Sequence, residues 1–327
     1  MNEIEPSLMG RGRVLAVDLG GTNLRAALIS ESGELTHRRS VPTQSSAGPE
    51  AVASRIVALL DGVAAAAGLG DEIPAGVAVP GPVDPRSGVV FFTPNLPGWR
   101  DFRLREALSS QTDRAISFGN DGNCAALGEA RFGVGAGARD LVYLALGTGV
   151  GGGIISGGRL IEGTGGLGGE VGHVVVALDG PSCHCGSTGC LEAFVGGWAI
   201  TRDARLLATT ADGETIRRAA AAGEITPSVV ASVAEAGDPA ATAILERAGR
   251  ALGAAIGAFV NLFNPELVII GGGVATLGEA LLAPARQALP RHAFPAQRQA
   301  MRLVTSQLSD DTALYGAAAL AFATTAV

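Results

Sequence analysis

The chain has 327 residues, of which 47% are hydrophobic and 17% charged, and its formal net charge is −7. That length suffices for two domains of ordinary size, and the apolar content suits a packed globular enzyme rather than a disordered chain. With an acidic balance and no basic patch, nothing attracts nucleic acid or an anionic membrane surface.

Taken in order, Arg13–Asp18 (RVLAVD) reads as a buried strand, Gly20-Gly21 as a turn, and Leu24–Ser30 as the next strand. This is a β-hairpin start, not strand–turn–helix. Ala51–Ala67 has helical spacing. Gly76–Val79 is a short strand that stops at Pro80-Gly81-Pro82, Ala115–Gly119 is another, and Asn123–Phe132 is a helix. Leu141–Leu146 is a strand, Gly147–Gly153 a glycine turn, and Gly153–Ser156 a strand again. Val171–Val176 reads as a β-branched strand. Gly197–Gly257 is Ala-rich and mostly helical, and its long helix runs from Pro239 into Phe263. Leu267–Ile270 is a buried strand ending in Gly271-Gly272-Gly273, Arg302–Thr305 is a last strand, and Thr312–Phe322 a last helix.

Alternating strands and helices with hairpins predict an α/β fold with mixed sheets. Strand, glycine turn, strand occurs at Val14–Ile29 and again at Leu141–Ile155, which suggests two half-domains of related architecture facing each other. Asp18 and Asp121 each fall at the carboxyl end of a predicted strand, where open α/β sheets bind ligands.

All 24 basic residues are arginine. The lack of lysine excludes a Schiff base, a P-loop lysine and a protein-kinase strand lysine. Phosphate chemistry must then use backbone N–H groups, hydroxyls, Arg and Mg²⁺. Met1–Arg13 is polar, so no signal peptide is expected, and the apolar runs near Ala251–Phe263 and Ala313–Val327 are too short to span a bilayer.

Three of the four cysteines lie in Cys183-His184-Cys185-Gly186-Ser187-Thr188-Gly189-Cys190-Leu191-Glu192, shortly after Gly169-Glu170-Val171-Gly172-His173. This is no disulfide framework, and a reduced, cytoplasmic setting is expected. Three thiolates and one imidazole complete a tetrahedral ligand set for zinc. The candidate ligands are His173, Cys183, Cys185 and Cys190. His184 is the rival imidazole but lies between two ligands and is expected to point away; the plainer alternative is three buried free thiols. Glu170 and Glu192 are not needed by a metal and are free to hold something else.

Three glycine-rich turns follow strands: Asp18-Leu19-Gly20-Gly21-Thr22-Asn23, Leu146-Gly147-Thr148-Gly149-Val150-Gly151, and Gly271-Gly272-Gly273. Successive N–H groups in such turns form anion-binding concavities, although each alone is equally a tight hairpin. Gly147-x-Gly149-x-x-Gly152 matches the dinucleotide fingerprint as a string but is followed by a strand, so a Rossmann site is not expected.

The first two of these turns, with the box Cys183-x-Cys185-Gly186-x-x-Gly189-Cys190-x-Glu192, resemble the ROK family of bacterial sugar kinases, repressors and related proteins, closest to its glucokinase branch. The resemblance runs from about Val14 to about Ala319. It implies the actin-like, hexokinase-like (ribonuclease H-like) ATPase fold: two α/β lobes with mixed sheets and a central cleft. The implied lobes are residues 1–120 plus 310–327, and residues 121–309 with a zinc-binding loop over 173–190. The implied activity is ATP-dependent phosphorylation of the primary hydroxyl of a hexose, glucose first, with an N-acetylhexosamine or fructose as alternatives.

The same resemblance assigns residues. Asp121, in Gly119-Asn120-Asp121-Gly122, is the base for the sugar hydroxyl; the residues alone read equally as a helix cap. Gly81, Asn95, Asn120, Glu170, His173 and Glu192 are implied sugar contacts. Gly20, Gly21, Thr22 and Asn23 would meet the ATP phosphates, with Asp18 near Mg²⁺, Thr148 and Gly149 approaching from the opposite lobe, and Gly271 and Gly272 near the adenosine. The zinc is implied to be structural, aiming His173 and Glu192. A homodimer is expected from the resemblance only. Two departures stand out: Gly122, which would loosen the helix start, and the run Ala193-Phe194-Val195-Gly196-Gly197 after Glu192, which lacks an expected serine. Repressors of the family carry a helix-turn-helix ahead of the core, and the dozen residues before Val14 are too few for one.

Overall fold

The structure, a computed structural model, describes residues 12–93, 95–221 and 223–325. Pro94, nearly all of the polar N-terminal stretch and the last two residues of the Ala313–Val327 run lie outside the described residues.

The first sheet takes β1 (Arg13–Leu19), β2 (Asn23–Ser30), β3 (Leu35–Pro42), β4 (Ala75–Val79) and, after the small hairpin β5 (Val89–Phe92) and β6 (Arg100–Arg103), β7 (Ile116–Asn120). Its order is β3-β2-β1-β4-β7, antiparallel through β3, β2 and β1 and parallel through β1, β4 and β7. The second sheet takes β8 (Leu141–Leu146), β9 (Val150–Ser156), β10 (Arg159–Leu160), β11 (Leu267–Gly271) and β12 (Arg302–Thr305), in the order β10-β9-β8-β11-β12. In both, the chain lays down its third, second, first, fourth and fifth strand side by side. The echo in the sequence is therefore a repeated sheet.

Helices cover both faces of each sheet. α1 (Pro49–Ala66) and α2 (Leu104–Ser109) pack with Leu15, Val17 and Val77 on one side of the first sheet. α3 (Asp121–Phe132) lies against the second sheet, with Ala125 and Ala126 meeting Tyr143 and Ile269. α4 (Glu192–Val195), α5 (Gly197–Ala208), α6 (Glu214–Ala220), α7 (Pro227–Glu235), α8 (Pro239–Phe263) and α9 (Glu279–Ala288) cover the other face, followed by the short α10 (Pro295–Ala300). α11 (Thr312–Thr325) returns to the first sheet, burying Leu314, Ala317 and Ala321 against Val14 and Ala16. Burial on both faces explains why β1 and β11 read as continuous apolar runs rather than alternating ones. α8 keeps the bounds its caps announce: Asp238 accepts from Ala240 N and Ala241 N at 3.0 and 2.9 Å, Pro239 opens the helix, and Asn264 ends it in the left-handed region.

One expected strand is absent. Val171–His173 is a single 3₁₀ turn, and Val175 forms only an isolated bridge to Cys190. The β-branched run packs Val174 and Val176 against the core of the second lobe, so its valines record burial rather than sheet pairing. Four strands escaped the sequence reading, the two-residue β10 among them. β3 (LTHRRSVP) is a largely exposed edge, paired only to β2, with a register shift between Ala26 and Leu28 and a left-handed His37. Such charged, irregular edges lack the alternation that marks a strand. β5 and β6 form a two-stranded sheet, extended by one bridge from Val90 to Val83, and hold Asn95 on the loop between them. Trp99 packs there, 2% exposed and edge-on to Phe102 at 5.0 Å, as a core residue.

Candidate active site

A cavity of about 860 Å³ opens where the carboxyl ends of β1, β4, β7, β8 and β11 converge. Asp18, Gly81, Asp121, Thr148 and Gly272 mark those five ends on its wall. Strand ends in α/β sheets gather ligands here, and the size suits a small-molecule site.

Asp121 is the first residue of α3. Asn120 is the cap: its Oδ1 accepts from Asn123 N at 3.1 Å, and its Nδ2 donates to Gly81 O and to Asp121 Oδ1, both at 3.1 Å. Asp121 Oδ1 also accepts from Gly122 N at 2.8 Å. Asn120 thus spends its side chain on aiming Asp121 and tying β7 to the Gly81 loop. Gly122 does not loosen this turn. A Cβ there would lie 2.5 Å from Gly152 N and 2.7 Å from Gly152 O, so glycine lets α3 press its first turn onto β9. The free Asp value is near 4. Burial first, then the charge of Asp18 and more weakly that of Glu170, pushes Asp121 up to about 6.

Across the cavity lie Glu170, His173 and Glu192. Glu192 is gripped from two sides: Oε2 accepts from Val150 N at 2.9 Å and Oε1 from the Trp198 indole at 3.2 Å. Asn95 also reaches the wall. It does so because Gly21 has no side chain; a Cβ there would sit 2.9 Å from Asn95 Cβ.

Behind His173 one nitrogen of its ring, Cys183 Sγ, Cys185 Sγ and Cys190 Sγ lie within 4.8 Å of one another. Cys183 Sγ is 3.7 Å from His173 Nδ1, and Cys185 Sγ is 3.7 Å from Cys190 Sγ. Four ligands held tetrahedrally at about 2.3 Å from a central ion would be about 3.8 Å apart, whereas disulfide sulfurs stand about 2 Å apart. The cluster therefore has metal-site dimensions. His184 is outside it; its ring stacks on Trp198 at 4.0 Å and 21° and reaches the cavity wall.

At the opposite end Asp18 is buried and held by Arg25, whose Nε donates to Asp18 Oδ2 at 2.9 Å. Burial still raises the Asp18 carboxyl above its ordinary value, although Arg25 opposes the rise. The Gly20–Asn23 turn is closed by Gly20 N donating to Asn23 O at 3.0 Å, and Thr43 anchors it to Thr22 O through its N–H at 2.8 Å. Thr148, Gly149 and Gly272 line the cavity. Among the described wall residues Gly20, Gly21, Thr22, Asn23, Gly271, Cys183 and Cys190 do not appear. Gly271 is buried in β11 against Tyr143.

Among the wall residues that sequence reasoning missed are Arg25 and Trp198. Arg25 is the one Lys or Arg on the wall among the described residues. In a chain without lysine that alone was a signal worth following. Trp198 left none, because its role depends on which helix face turns toward Glu192.

Two sheets of one strand order, with their carboxyl ends turned to a shared cleft, define the two-lobed actin-like, hexokinase-like ATPase fold. The chain belongs to the ROK family, whose model matches residues 14–324. It is 36% identical to a glucokinase of Thermotoga maritima over 314 residues, covering 95% of this chain and 98% of that protein. It is 34% identical to an N-acetylmannosamine kinase of Escherichia fergusonii over 307 residues, covering 94% and 97%. The crystal structure of a ROK family glucokinase from Streptomyces griseus in complex with glucose and AMPPNP matches with a TM-score of 0.79 at 33% identity, covering 95% of this chain and all of that one.

Proposed function

We propose that the protein transfers the γ-phosphoryl group of ATP to the primary hydroxyl of a hexose, glucose first. The observation that carries this is Asp121, aimed from the end of β7 into the same cavity as Glu170, His173 and Glu192, with Asp18 and Arg25 of the first sheet and Thr148, Gly149 and Gly272 of the second on the same wall. The sugar oxygen bonds to phosphorus, the bond from phosphorus to the β–γ bridging oxygen breaks, ADP departs, and the hydroxyl proton passes to Asp121. The transition state is loose, so alignment and charge stabilisation supply most of the rate.

The sugar-side residues suit a polyol: carboxylates accept from neighbouring hydroxyls, and the Asn95 amide both donates and accepts. Asp18, beside Arg25 at the phosphate end, fits Mg²⁺, held directly or through water; the ion supplies charge neutralisation for the phosphates. The Cys₃His cluster fits structural zinc, since three thiolates and an imidazole leave no open position for water. Zinc at His173 Nδ1 leaves the other ring nitrogen for the sugar. The first lobe is assigned residues 1–120 plus 310–327 and the second 121–309. Four free thiols suit a reducing compartment, and we place the protein in the cytoplasm, as a homodimer. No helix among the described residues is long and apolar enough to cross a membrane.

An N-acetylhexosamine is the second reading, favoured by the N-acetylmannosamine kinase likeness. A coupled ADP-release assay over hexoses and N-acetylhexosamines separates the two. The expected result is kcat/KM for glucose at least about tenfold above every N-acetyl sugar, one methylene-scale pocket difference being worth roughly that much. A reversed order selects the second reading, and no sugar-dependent ADP release removes both.

Arg25 carries a separate expectation. With no lysine in the chain, it is the side-chain cation placed to meet the transferring phosphoryl group. Arg25→Met is expected to lower kcat about 10²-fold, the usual cost of one preorganised charge-stabilising donor. Unchanged kcat with a lowered Tm would restrict Arg25 to bracing Asp18.

A further inference from the structure

Trp198 sits in the first turn of α5, where the metal loop, the sugar-side carboxylate and a glycine turn meet. Its backbone N–H donates to Thr148 O at 3.1 Å, in the turn after β8. Its indole packs against Cys183, Cys190 and Ala193. One face stacks on His184, which stands between two of the cluster cysteines, and the Arg202 guanidinium carbon lies 5.2 Å from the ring centroid. Its Nε1–H donates to Glu192 Oε1 at 3.2 Å.

That last contact decides where Glu192 points. Cys183 Sγ lies 3.9 Å from the same Glu192 oxygen. A carboxylate oxygen is itself a competent ligand for a zinc-type ion. Glu192 therefore stands between two uses, acceptor for a sugar hydroxyl and intruder on the metal cluster. Val150 N fixes one oxygen and the indole fixes the other, so the carboxylate plane is set by donors from two different elements. About four lone-pair sites serve a carboxylate, and the two donors leave the remainder for the cavity.

We propose that Trp198 is a positioning residue for Glu192: its indole N–H holds the carboxylate toward the cavity and off the metal cluster, while the stack on His184 couples the metal loop to the sugar side of the cleft. This rests on the sugar-kinase reading for its kinetic consequence, but not for its consequence at the metal.

The test compares Trp198→Phe, which keeps a ring for the stack and deletes the N–H, with the full-length wild type. Steady-state kinetics on glucose and ATP form one arm. The visible spectrum of protein loaded with Co²⁺ in the cluster forms the other. Loss of a hydrogen bond to a charged acceptor predicts a glucose KM raised about tenfold, with kcat and the ATP KM within about twofold of wild type. It also predicts a changed Co²⁺ spectrum as the released carboxylate approaches the ion, and a return to the wild-type spectrum in the double variant Trp198→Phe, Glu192→Gln. A glucose KM equal to wild type, or glucose and ATP KM rising together, overturns the proposal. If the wild type phosphorylates no sugar, the kinase reading falls while the cobalt arm still decides: identical spectra for wild type and Trp198→Phe then overturn the role of Trp198.

Discussion

Asp121→Asn is expected to lower turnover by about 10²–10⁴-fold while the glucose KM stays within a few-fold of wild type. Asn has nearly the shape of Asp and can still accept from Gly122 N and Asn120 Nδ2, so the start of α3 survives. What it cannot do is take the proton from the sugar hydroxyl. Because the buried carboxyl is pushed up to about 6, kcat/KM of the wild type, measured with both substrates below saturation, is expected to fall tenfold per unit as pH drops below about 6. An ordinary aspartate would hold its activity to about pH 4.

The stability sign runs opposite to the activity sign. The folded-state pKa of Asp121 lies above its unfolded value, so the folded chain binds the proton more tightly. The ionised carboxylate therefore opposes folding at pH 7, and this penalty fades as pH falls through about 6 toward 4. Removing the charge should leave Tm at pH 7 equal to or above wild type. Near-normal turnover in Asp121→Asn would remove the residue from the mechanism, and a lowered Tm would assign the lost rate to misfolding instead.

The second large effect belongs to the metal cluster. Elemental analysis is expected to give one zinc per chain, and Cys183→Ser or prolonged chelation to abolish it. Burial raises the Cys183 and Cys190 thiols, so these two stay protonated unless a cation offsets the charge of their thiolates. Beyond the packing of Val174, Val176, Cys183 and Cys190, the segment from His173 to Cys190 is held by turns and two isolated bridges, Val175–Cys190 and Ser182–Thr188. With the ion gone, His173 and Glu192 lose the loop that orients them. Glucose affinity should fall by about 10–100-fold, the usual scale for losing support behind a functional group. New protease cleavage should appear within residues 173–190. Wild-type protein without stoichiometric zinc, or a zinc-free Cys183→Ser variant with unaltered glucose affinity, would defeat the assignment.

The chain itself announced a good part of this. Apolar runs bounded by glycine and proline mark β1, β4 and β11, and the capping residues Asp238, Pro239 and Asn264 mark both ends of α8. These signals are local, since a few neighbouring residues dictate the backbone by themselves. The grouping of the three cysteines with His173 was legible for the same reason. Cys183, Cys185 and Cys190 sit so close in sequence that only the remote His173 had to be brought in.

Other features exist only once the lobes are packed. β3 was hidden because an exposed edge needs no alternating pattern, and Val171–Val176 misled because burial against helices favours the same residues as pairing in a sheet. Asp18 and Arg25 become partners through the antiparallel register of β1 and β2, which sets them directly opposite each other. Trp198 meets Glu192 because α4 breaks at Gly196 and α5 starts anew. The raised pKa of Asp121 requires Asp18 from β1 and Glu170 from the segment after β10. Spacing along the chain determined β1, β4, β11 and α8 and which thiols can share an ion, because those depend on neighbours along the chain. Which charges face each other, and how strongly, was decided by the fold, because electrostatic and hydrogen-bond energies depend on distances that chain order does not contain.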